Sequence, residues 1–346
     1  MRTLSLFLSL LAANPLPASQ VPCHRRVGVM GTFLHVTTWG ASWEEACHAA
    51  ELAIGAVEAS ERRLSTWRQD SELAQVNRDL AAGEITLSPA TCRELALALA
   101  WAARTGGAFD PTVGPLVRLY DLRGSGRWPE PGELTATLRQ VGHRHLQLSQ
   151  CRLRTSRPGL QLEEGGFGKG AALDAALAAV APLGVALRLE LGGQVLSFGV
   201  PRLSLALAHP DRRQEAVAIW EVPPGSVATS GNSERGLRVG GRPLGHILDP
   251  RTGLPAPDFG SVAVWAPDGL TADALSTALF VLGPRAATPL LAQHPEIAAV
   301  FLVREGKRLR LQVTPQLRGS IRPLQPKIAL DVLFGRERAE KQGRQR

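Results

Sequence analysis

Strand-like segments in this chain follow one another directly, and this pattern limits the folds that the chain can adopt. Apolar and polar residues alternate with period two in HLQLS, RLRTS and LQLE, between residues 145 and 163, which is typical of a meander. LRLEL and QVLSFGV, on either side of Gly192-Gly193, predict a hairpin. Because strands do not alternate regularly with helices, we expect an α+β fold with mixed or antiparallel sheets and packed helices, not a doubly wound parallel sheet.

Other elements are predicted from helical periodicity, capping residues and breakers. Helices are expected at about 42–62, 89–105, 168–183 and from about 270, with a short one beginning at Pro131. Residues 27–39 predict one strand, and further strands are expected at 261–266 and within 298–313. The segment GAFDPTVGPLVRLYDL, which begins at Gly107, has too many Pro and Gly residues for a regular element, so we expect a shaped loop.

Length and charge limit the classes of protein. A chain of 346 residues with 44% hydrophobic and 20% charged residues is typical of a globular protein with one large or two ordinary domains. The net charge is +8, but the tail 335–346 holds five basic and two acidic residues and supplies +3 of it. The remaining arginines are scattered, so we expect a solvated basic surface and no nucleic-acid groove. We expect one domain over 21–334, with a soft subdivision near 160, and a disordered basic tail at 335–346.

The first 20 residues have the layout of a secretory signal peptide. Arg2 precedes an apolar run at 4–13, and a small, Pro-containing segment follows, with cleavage expected near Ala18 or Ser19. The run is too short to span a bilayer, and no later segment is expected to do so. Cys23 lacks the Leu three residues earlier that a lipoprotein signal needs. The sequence therefore predicts an exported, periplasmic or extracytoplasmic protein without a lipid anchor.

Four cysteines lie far apart in the sequence, at Cys23, Cys47, Cys92 and Cys151. They form no CxxC motif and have no His at zinc-ligand spacing, so structural thiols or one disulfide are expected. Export would permit a disulfide, but the spacing does not select a pairing.

Asp273 stands in an apolar helical run, LTADALSTALFVLG, where an ionised carboxylate is costly to bury unless it is paired or bound to a metal. Thr277 lies one turn later on the same face, with Ser276 beside it. A carboxylate and a hydroxyl offer hard oxygen ligands, which suit Mg²⁺ better than Zn²⁺. The alternative is that Asp273 lies in the first helical turn after Thr271 and complements the helix dipole.

Four other segments could carry chemistry or could be simple turns. LEEGGFGKGAALD, from Leu162, matches neither the phosphate loop nor the dinucleotide motif, but it leads into a helix N-terminus where backbone amides and Lys169 could meet an anion. GHILDPRTGLP places His246 before a turn, either as a general base or as a structural histidine. VATSGNSER and GAFDPTVGPL are loops that could present amides or an Asp to a ligand.

Taken in order, these motifs resemble the ApbE family of FAD:protein FMN transferases. The resemblance runs from about residue 28 to 313 and rests on VMGTF, STWRQDSELAQVN, GAFDPTVGPL, GGFGKGAALD, LELGG, ATSGNSER, HILDPRTG and ADALSTALFVLG. It implies an ApbE-like, T-fold-related architecture with a flavin pocket between subdomains. It also implies Mg²⁺-dependent transfer of FMN from FAD to a Thr or Ser of a target flavoprotein, with release of AMP. The implied acceptor is a membrane-associated redox subunit.

The resemblance also assigns roles to individual residues. Asp273 and Thr277 match magnesium ligands, with Ser276 in the same set and a backbone carbonyl at Gly166. His246 matches the proposed base, and Lys169 is expected to act in catalysis and in binding. The other positions implied for FAD binding are Met30, Trp67, Ala108, Phe109, Asp110, Glu163 and Ile247.

The chain departs from the family pattern before Lys169 and after Ser230-Gly231. The family has Asp and then a small hydrophobic run where this chain has Glu163, Glu164 and glycines, and SGNSER lacks the aromatic that often follows SG. The longer Glu163 side chain could shift a metal or flavin contact. Two alternatives therefore stay open: an FAD pyrophosphatase that yields FMN and AMP, and a non-catalytic FAD-binding protein.

Overall fold

A nine-stranded sheet forms the centre of the computed structural model, which describes residues 7–8, 20–234, 236–306 and 308–333. In chain order, the strands of the described residues are β1 Phe7–Leu8, β2 Val21–Val29, β3 Thr32–Gly40, β4 Ile85–Thr86, β5 Leu146–Ser149, β6 Arg152–Thr155, β7 Ala186–Leu191, β8 Gln194–Phe198, β9 Leu203–Ala208, β10 Ala216–Val222, β11 Gly225–Gly231, β12 Leu237–Val239, β13 Arg242–Leu244, β14 Gly260–Ala266, β15 Ala298–Glu305, β16 Arg308–Val313, β17 Ile321–Pro323 and β18 Ala329–Val332. The large sheet has the order β18-β16-β15-β14-β11-β8-β7-β3-β2, and its neighbours are antiparallel except for β16 and β18.

Smaller sheets and the helices cover the two faces of this sheet. A four-stranded sheet, β1-β9-β10-β17, packs on one face, where Trp220 of β10 shares a core with Ala263 and Val300. Val262 and Val264, the neighbours of Ala263 on β14, point to the opposite face and pack in the core that contains α-helical residues. The remaining pairings of the described residues are β4-β6-β5 and the hairpin β12-β13.

Seven α-helices belong to the described residues, and capping side chains set several of their starts. They are α1 Trp43–Leu64, α2 Glu72–Asp79, α3 Pro89–Arg104, α4 Gly114–Leu119, α5 Pro131–Leu138, α6 Gly168–Val180 and α7 Gly269–Gln293. Ser42, Ser88 and Asp268 accept backbone N–H groups at the starts of α1, α3 and α7. The backbone of α7 is kinked at Gly283, immediately before Pro284.

Helices α6 and α7 touch backbone to backbone and cap each other. A Cβ atom placed on Gly170 would lie 2.1 Å from the Gly269 carbonyl oxygen, so no side chain fits at the contact. Asp174 of α6 accepts the N–H groups of Gly269 (2.6 Å) and Leu270 (2.8 Å) at the start of α7. In return, Asp273 of α7 accepts the N–H of Gly170 at 3.2 Å in the first turn of α6. Each carboxylate therefore satisfies orphan amides of the other helix.

Much of the predicted layout is confirmed. The fold is α+β with largely antiparallel pairing, and the β7–β8 hairpin, the predicted long helices and the short helix at Pro131 are present. The nine-stranded sheet takes strands from both sides of residue 160. The soft subdivision expected there stays a prediction.

Three local predictions are wrong. The single strand expected at 27–39 is a hairpin, because Met30 (φ 52°) and Gly31 (φ 69°) form a turn between β2 and β3. The loop expected after Gly107 contains the short helix α4, with Pro115 in its first turn. LQLE is not a third meander strand. Its backbone forms an isolated bridge between Gln161 and Val113, donates from the Glu163 amide to the Pro111 carbonyl, and bonds at Leu162 to the side chain of Asn77.

The cysteines form two disulfides where at most one was expected. Cys23 on β2 pairs with Cys47 on α1, and Cys92 on α3 pairs with Cys151 beside β6. Both bridges join a helix to a strand region that the sequence places at least 24 residues away. The predicted signal peptide falls on residues 1–20 and the predicted tail on 335–346, and apart from Phe7, Leu8 and Gln20 these lie outside the described residues.

Helix α7 is the one helix of the described ranges that is long and apolar enough, by length and composition, to cross a membrane. No segment after the predicted signal peptide was expected to cross a membrane. In the fold, half of the most apolar stretch of α7 is buried, and the helix packs against α3, α6 and β11. Trp101 of α3 also donates a hydrogen bond to Thr271 at 3.0 Å. These contacts are those of a core helix.

We expect Gly170→Ala to destabilise the protein, because the new methyl group must push α6 and α7 apart. Overpacking of this kind costs about 3 kcal/mol of unfolding free energy. Urea unfolding monitored by circular dichroism measures the change. Gly55→Ala on α1 is the matched control, since a Cβ there meets nothing within 4 Å, and it should stabilise the protein by roughly 0.5–1 kcal/mol. Equal stability of the two variants would contradict the backbone contact.

Candidate functional site

A cleft opens where the first turn of α6, the N-terminal part of α7, the β7–β8 turn and the end of β11 meet. Eleven of the thirteen residues assigned to the site from the sequence line it: Trp67, Ala108, Phe109, Asp110, Glu163, Gly166, Lys169, His246, Ile247, Asp273 and Thr277. Met30 and Ser276 do not. The fold therefore brings together segments that are up to 210 residues apart, from Trp67 to Thr277.

Asp273 is buried, with 4% of its surface exposed, and its partners come from α6. The amide of Gly170 lies 3.2 Å from Oδ2, and the Lys169 ammonium lies 3.8 Å from Oδ1. Since α7 begins at Gly269, Asp273 lies beyond the first turn of its own helix, and that turn holds no acidic residue. The alternative that Asp273 complements its own helix dipole is therefore wrong.

The compensation of the Asp273 carboxylate is incomplete. Burial raises its pKa above the ordinary aspartate value, while the Lys169 ammonium and the backbone amides of Gly170 and Lys169 lower it, and burial dominates. A further positive charge beside the carboxylate would stabilise its ionised form.

Thr277 and Gly166 lie side by side in the lining of the cleft. A Cβ placed on Gly166 would lie 3.2 Å from Thr277 Oγ1 and 3.1 Å from the Phe109 ring, so a side chain at 166 would fill this space. The Asp273 carboxylate, the Thr277 hydroxyl and the backbone around Gly166 thus offer oxygen atoms of the type that Mg²⁺ prefers. Among the described residues no three His, Cys, Asp or Glu side chains form a metal cluster, so a metal here would depend on this mixed oxygen set.

Ser276 and Met30 lie behind the cleft lining. Ser276 is buried, and its hydroxyl pairs with Ser230 Oγ at 2.9 Å and with the Asp273 carbonyl at 2.9 Å, so it ties α7 to β11. The Met30 amide donates to Glu61 of α1 at 2.6 Å, and a Cβ placed on Gly168 would lie 3.7 Å from the Met30 methyl group. Both residues are placed to support the cleft rather than to line it.

Asp110 lines the cleft, but its carboxylate is engaged with its own surroundings. Oδ1 accepts the amide (2.9 Å) and hydroxyl (2.6 Å) of Thr112, and Oδ2 accepts the amide of His143 and contacts its ring Nδ1, each at 2.8 Å. The carboxylate therefore fixes the shape of the 108–112 loop, which in turn places Ala108 and Phe109 in the lining.

His246 follows β13 and is carried by a closely bonded turn. Asp249 accepts Arg251 in a bidentate pair, with Nε and Nη2 each at 2.8 Å, and the Gly253 amide donates to the Asp249 carbonyl at 2.7 Å. The Ala256 amide donates to the Ile247 carbonyl at 2.9 Å. The segment next to His246 is therefore anchored on both sides of the turn.

A linked group of side chains closes the cleft on the Trp67 side. The Arg123 guanidinium lies 4.6 Å from the Trp67 ring centroid, pairs with Glu163 at 2.5 Å and donates to the Thr66 carbonyl at 2.8 Å. The Thr66 hydroxyl in turn bonds Glu164. Burial and the neighbouring Glu164 carboxylate raise the pKa of Glu163 to about 7, against the opposing effect of Arg123.

Sequence reasoning missed Arg123 and Gln194, which line the cleft, and it singled out the segment of Thr229, a third lining residue, without naming that residue. Gln194 is buried, and its amide nitrogen is fixed to Ser226 (3.0 Å) and to the Gly269 carbonyl (2.8 Å). Its Oε1, like Thr229 Oγ1, is buried and has no hydrogen-bond partner in the described structure. A polar residue directly after a Gly-Gly hairpin turn was the one sequence signal that pointed to Gln194.

Comparison with known proteins gives a consistent family assignment. A profile of the ApbE family matches residues 30–301. A protein named FAD:protein FMN transferase from Klebsiella pneumoniae is 30% identical over 303 residues, which cover 84% of this chain and 86% of that protein. One of the same name from Treponema pallidum is 31% identical over 309 residues, which cover 82% of this chain and 84% of that protein. The apo crystal structure of the flavinyl transferase ApbE from Pseudomonas stutzeri matches with a TM-score of 0.75 at 28% identity and covers 88% of this chain and 98% of that one.

Stability should fall with rising pH because of Glu163. Its pKa of about 7 in the folded protein lies above the value of 4.5 for an unperturbed glutamate. The unfolded chain therefore ionises first, and stability present below pH 4.5 is lost as the pH rises through 7. For this one group the loss is at most about 3 kcal/mol. The Glu163→Gln substitution removes this contribution to the pH dependence of stability.

Urea unfolding at pH 5 and pH 8 measures this effect. The loss of unfolding free energy between the two pH values should be smaller in Glu163→Gln than in the wild type. Glu58→Gln, at a half-exposed position on α1, is the control and should behave as the wild type does. Equal losses in Glu163→Gln and the wild type would show that Glu163 ionises normally.

Proposed function

We propose, because this chain belongs to the ApbE family, that it transfers the FMN part of FAD to a hydroxyl group of a target protein. The observation that carries the proposal is the meeting of Asp273, Thr277 and Lys169 in one cleft with the loop that bears His246. A buried carboxylate, a hydroxyl and a cation at this site suit the handling of a pyrophosphate. Threonine or serine is the expected acceptor, and AMP is the expected second product.

The reaction exchanges one bond to phosphorus for another. The acceptor oxygen attacks the phosphorus on the FMN side of the pyrophosphate, and a phosphoester bond forms. The bond to the bridging oxygen breaks, and AMP leaves with its electron pair. His246 takes the proton of the attacking hydroxyl, which is the role of a general base.

A magnesium ion fits the residues present. Asp273, Thr277 and the Gly166 carbonyl would hold it. The negative charge of the buried Asp273 carboxylate is only partly offset by Lys169. When bound, the ion supplies positive charge that offsets the negative charge of the phosphates. We leave Ser276 out of this set because its hydroxyl is engaged with Ser230.

Lys169 and apolar side chains complete the proposed site. Lys169 is in the first turn of α6, and its ammonium forms an ion pair with Asp273 at 3.8 Å. An ammonium group can shift between the carboxylate and a phosphate oxygen, whereas a planar guanidinium fits one geometry. Trp67, Phe109 and Ile247 provide apolar surface for the ring systems of FAD.

The setting of the reaction is also part of the proposal. The leader-like segment at 1–20 supports export, and a periplasmic or extracytoplasmic enzyme would meet a membrane-associated redox subunit as its acceptor. The two disulfides suit an oxidising compartment.

Mass spectrometry of a candidate acceptor domain tests the function. Incubation with this protein, FAD and Mg²⁺ should add the mass of one FMN group to the acceptor, and replacing its reactive threonine with valine should abolish the gain. Release of AMP without any acceptor would favour the pyrophosphatase alternative. FAD that binds and stays intact under all conditions would favour the alternative of a non-catalytic FAD-binding protein.

The metal role of Asp273 is tested by Asp273→Asn, which keeps the size of the side chain and removes its charge. We expect weaker Mn²⁺ binding by electron paramagnetic resonance and a loss of transfer at least as large as that of His246→Ala, which should be about 10²- to 10⁴-fold for a general base. Asp268→Ala is the control, since it removes the N-cap of the same helix at a cost of about 1 kcal/mol but lies outside the cleft lining. An active Asp273→Asn variant with unchanged Mn²⁺ affinity would end the metal proposal.

A further inference from the structure

A second groove lies next to the cleft, between α2 and the α4 region. Its floor is the extended segment 161–163. Its charged lining residues are Arg68, Arg78, Arg118, Arg123, Asp121 and Glu163. Four arginines against two carboxylates give the groove a net positive lining.

Most of these charged groups form ion pairs or accept hydrogen bonds, whereas two of the arginines have no ion pair in the described structure. Arg68 pairs with Asp70 at 2.7 Å, and Arg123 pairs with Glu163. The Asp121 carboxylate accepts the Ser125 amide at 3.0 Å. Arg78 and Arg118 are exposed, and within the described part of the chain neither forms an ion pair. Arg78 donates one hydrogen bond, to the Gln69 carbonyl at 2.8 Å, and this contact leaves its charge without an acidic partner. The available positive charge of the groove thus comes from two helices, α2 and α4.

The floor of the groove cannot bind a partner by adding a strand. Asn77 donates to the Leu162 carbonyl at 2.8 Å and accepts the Leu162 amide at 2.7 Å. On the other side, Gln161 forms a bridge with Val113, and the Glu163 amide donates to the Pro111 carbonyl at 2.8 Å. Because these backbone groups are satisfied, recognition in the groove must come from side chains.

The groove and the cleft share a wall. Val117, Arg123 and Glu163 line both, so the two cavities meet at the Arg123–Glu163 pair. A chain segment that lies in the groove therefore ends beside the cleft that holds Asp273 and Lys169. The Arg123 and Glu163 side chains are the boundary between the segment in the groove and a ligand in the cleft.

From this arrangement we propose that the groove binds an acidic, extended segment of the acceptor polypeptide, with Arg78 and Arg118 pairing with its carboxylates. The segment would place a neighbouring hydroxyl at the entrance of the cleft. The role of the partner as acceptor rests on the proposed transfer function, whereas the binding itself does not.

The test measures peptide binding without FAD or Mg²⁺. The probe is a fluorescein-labelled dodecapeptide of Gly, Ser and Thr residues with four Asp, and the comparison peptide has Asn in place of each Asp. We expect the Asp peptide to bind the wild type more tightly, with an affinity that falls as salt is added. Arg78→Glu and Arg118→Glu should each weaken its binding by about tenfold or more, measured by fluorescence anisotropy.

Arg139→Glu is the matched control, because it makes the same charge change on an exposed arginine outside both cavities. It should bind the Asp peptide as the wild type does. Equal binding of the Asp and Asn peptides, or equal behaviour of Arg118→Glu and Arg139→Glu, would overturn the proposal. Loss of FAD affinity in Arg118→Glu, measured by flavin fluorescence, would assign the groove to the nucleotide and would also overturn it. Failure of FMN transfer with intact peptide binding would count against the proposed function alone.

Discussion

The reciprocal capping of α6 and α7 is the interaction on which the rest of the site depends. Each helix gives an aspartate to the N-terminal amides of the other, Asp174 to Gly269 and Leu270, and Asp273 to Gly170. The capping requires the backbones to touch, and only glycine permits the approach at Gly170. Burial raises the pKa of Asp174 to about 7 and raises that of Asp273, so both carboxylates are held at an electrostatic cost. Amide dipoles from the neighbouring helix offset part of that cost.

This capping changes what the glycine-rich segment before α6 can do. A free helix N-terminus is a ready anion site, and the sequence pattern around Lys169 resembles one. Here the Gly170 amide already faces the Asp273 carboxylate, so much of the positive end of α6 is used inside the protein. A phosphate that approaches this turn meets Lys169 together with a carboxylate. The segment can therefore bind an anion only if a further positive charge is present.

The sequence predicts features that depend on residues a few positions apart. It does not predict conformations and contacts that depend on a partner residue far along the chain. Asp273 and Thr277 share a helix face because they are four residues apart, and both line the cleft. The turn at Met30 was missed because a methionine with positive φ is unusual, and a hydrogen bond to Glu61, 31 residues later, holds it. Arg123 was missed for the same reason, since its partner Glu163 is 40 residues away. The two disulfide pairings likewise depend on strand and helix placement.

The two cavities differ in charge, and the difference suggests how each treats an anionic ligand. The cleft lining holds three carboxylates, from Asp110, Glu163 and Asp273, against two cations, from Lys169 and Arg123. A pyrophosphate gains little from such a lining alone, because like charges oppose it at close range. An added divalent ion reverses that balance, whereas the groove needs none because its arginines outnumber its carboxylates. One cavity therefore suits an anion only when positive charge is added, and the other suits an anion without that addition.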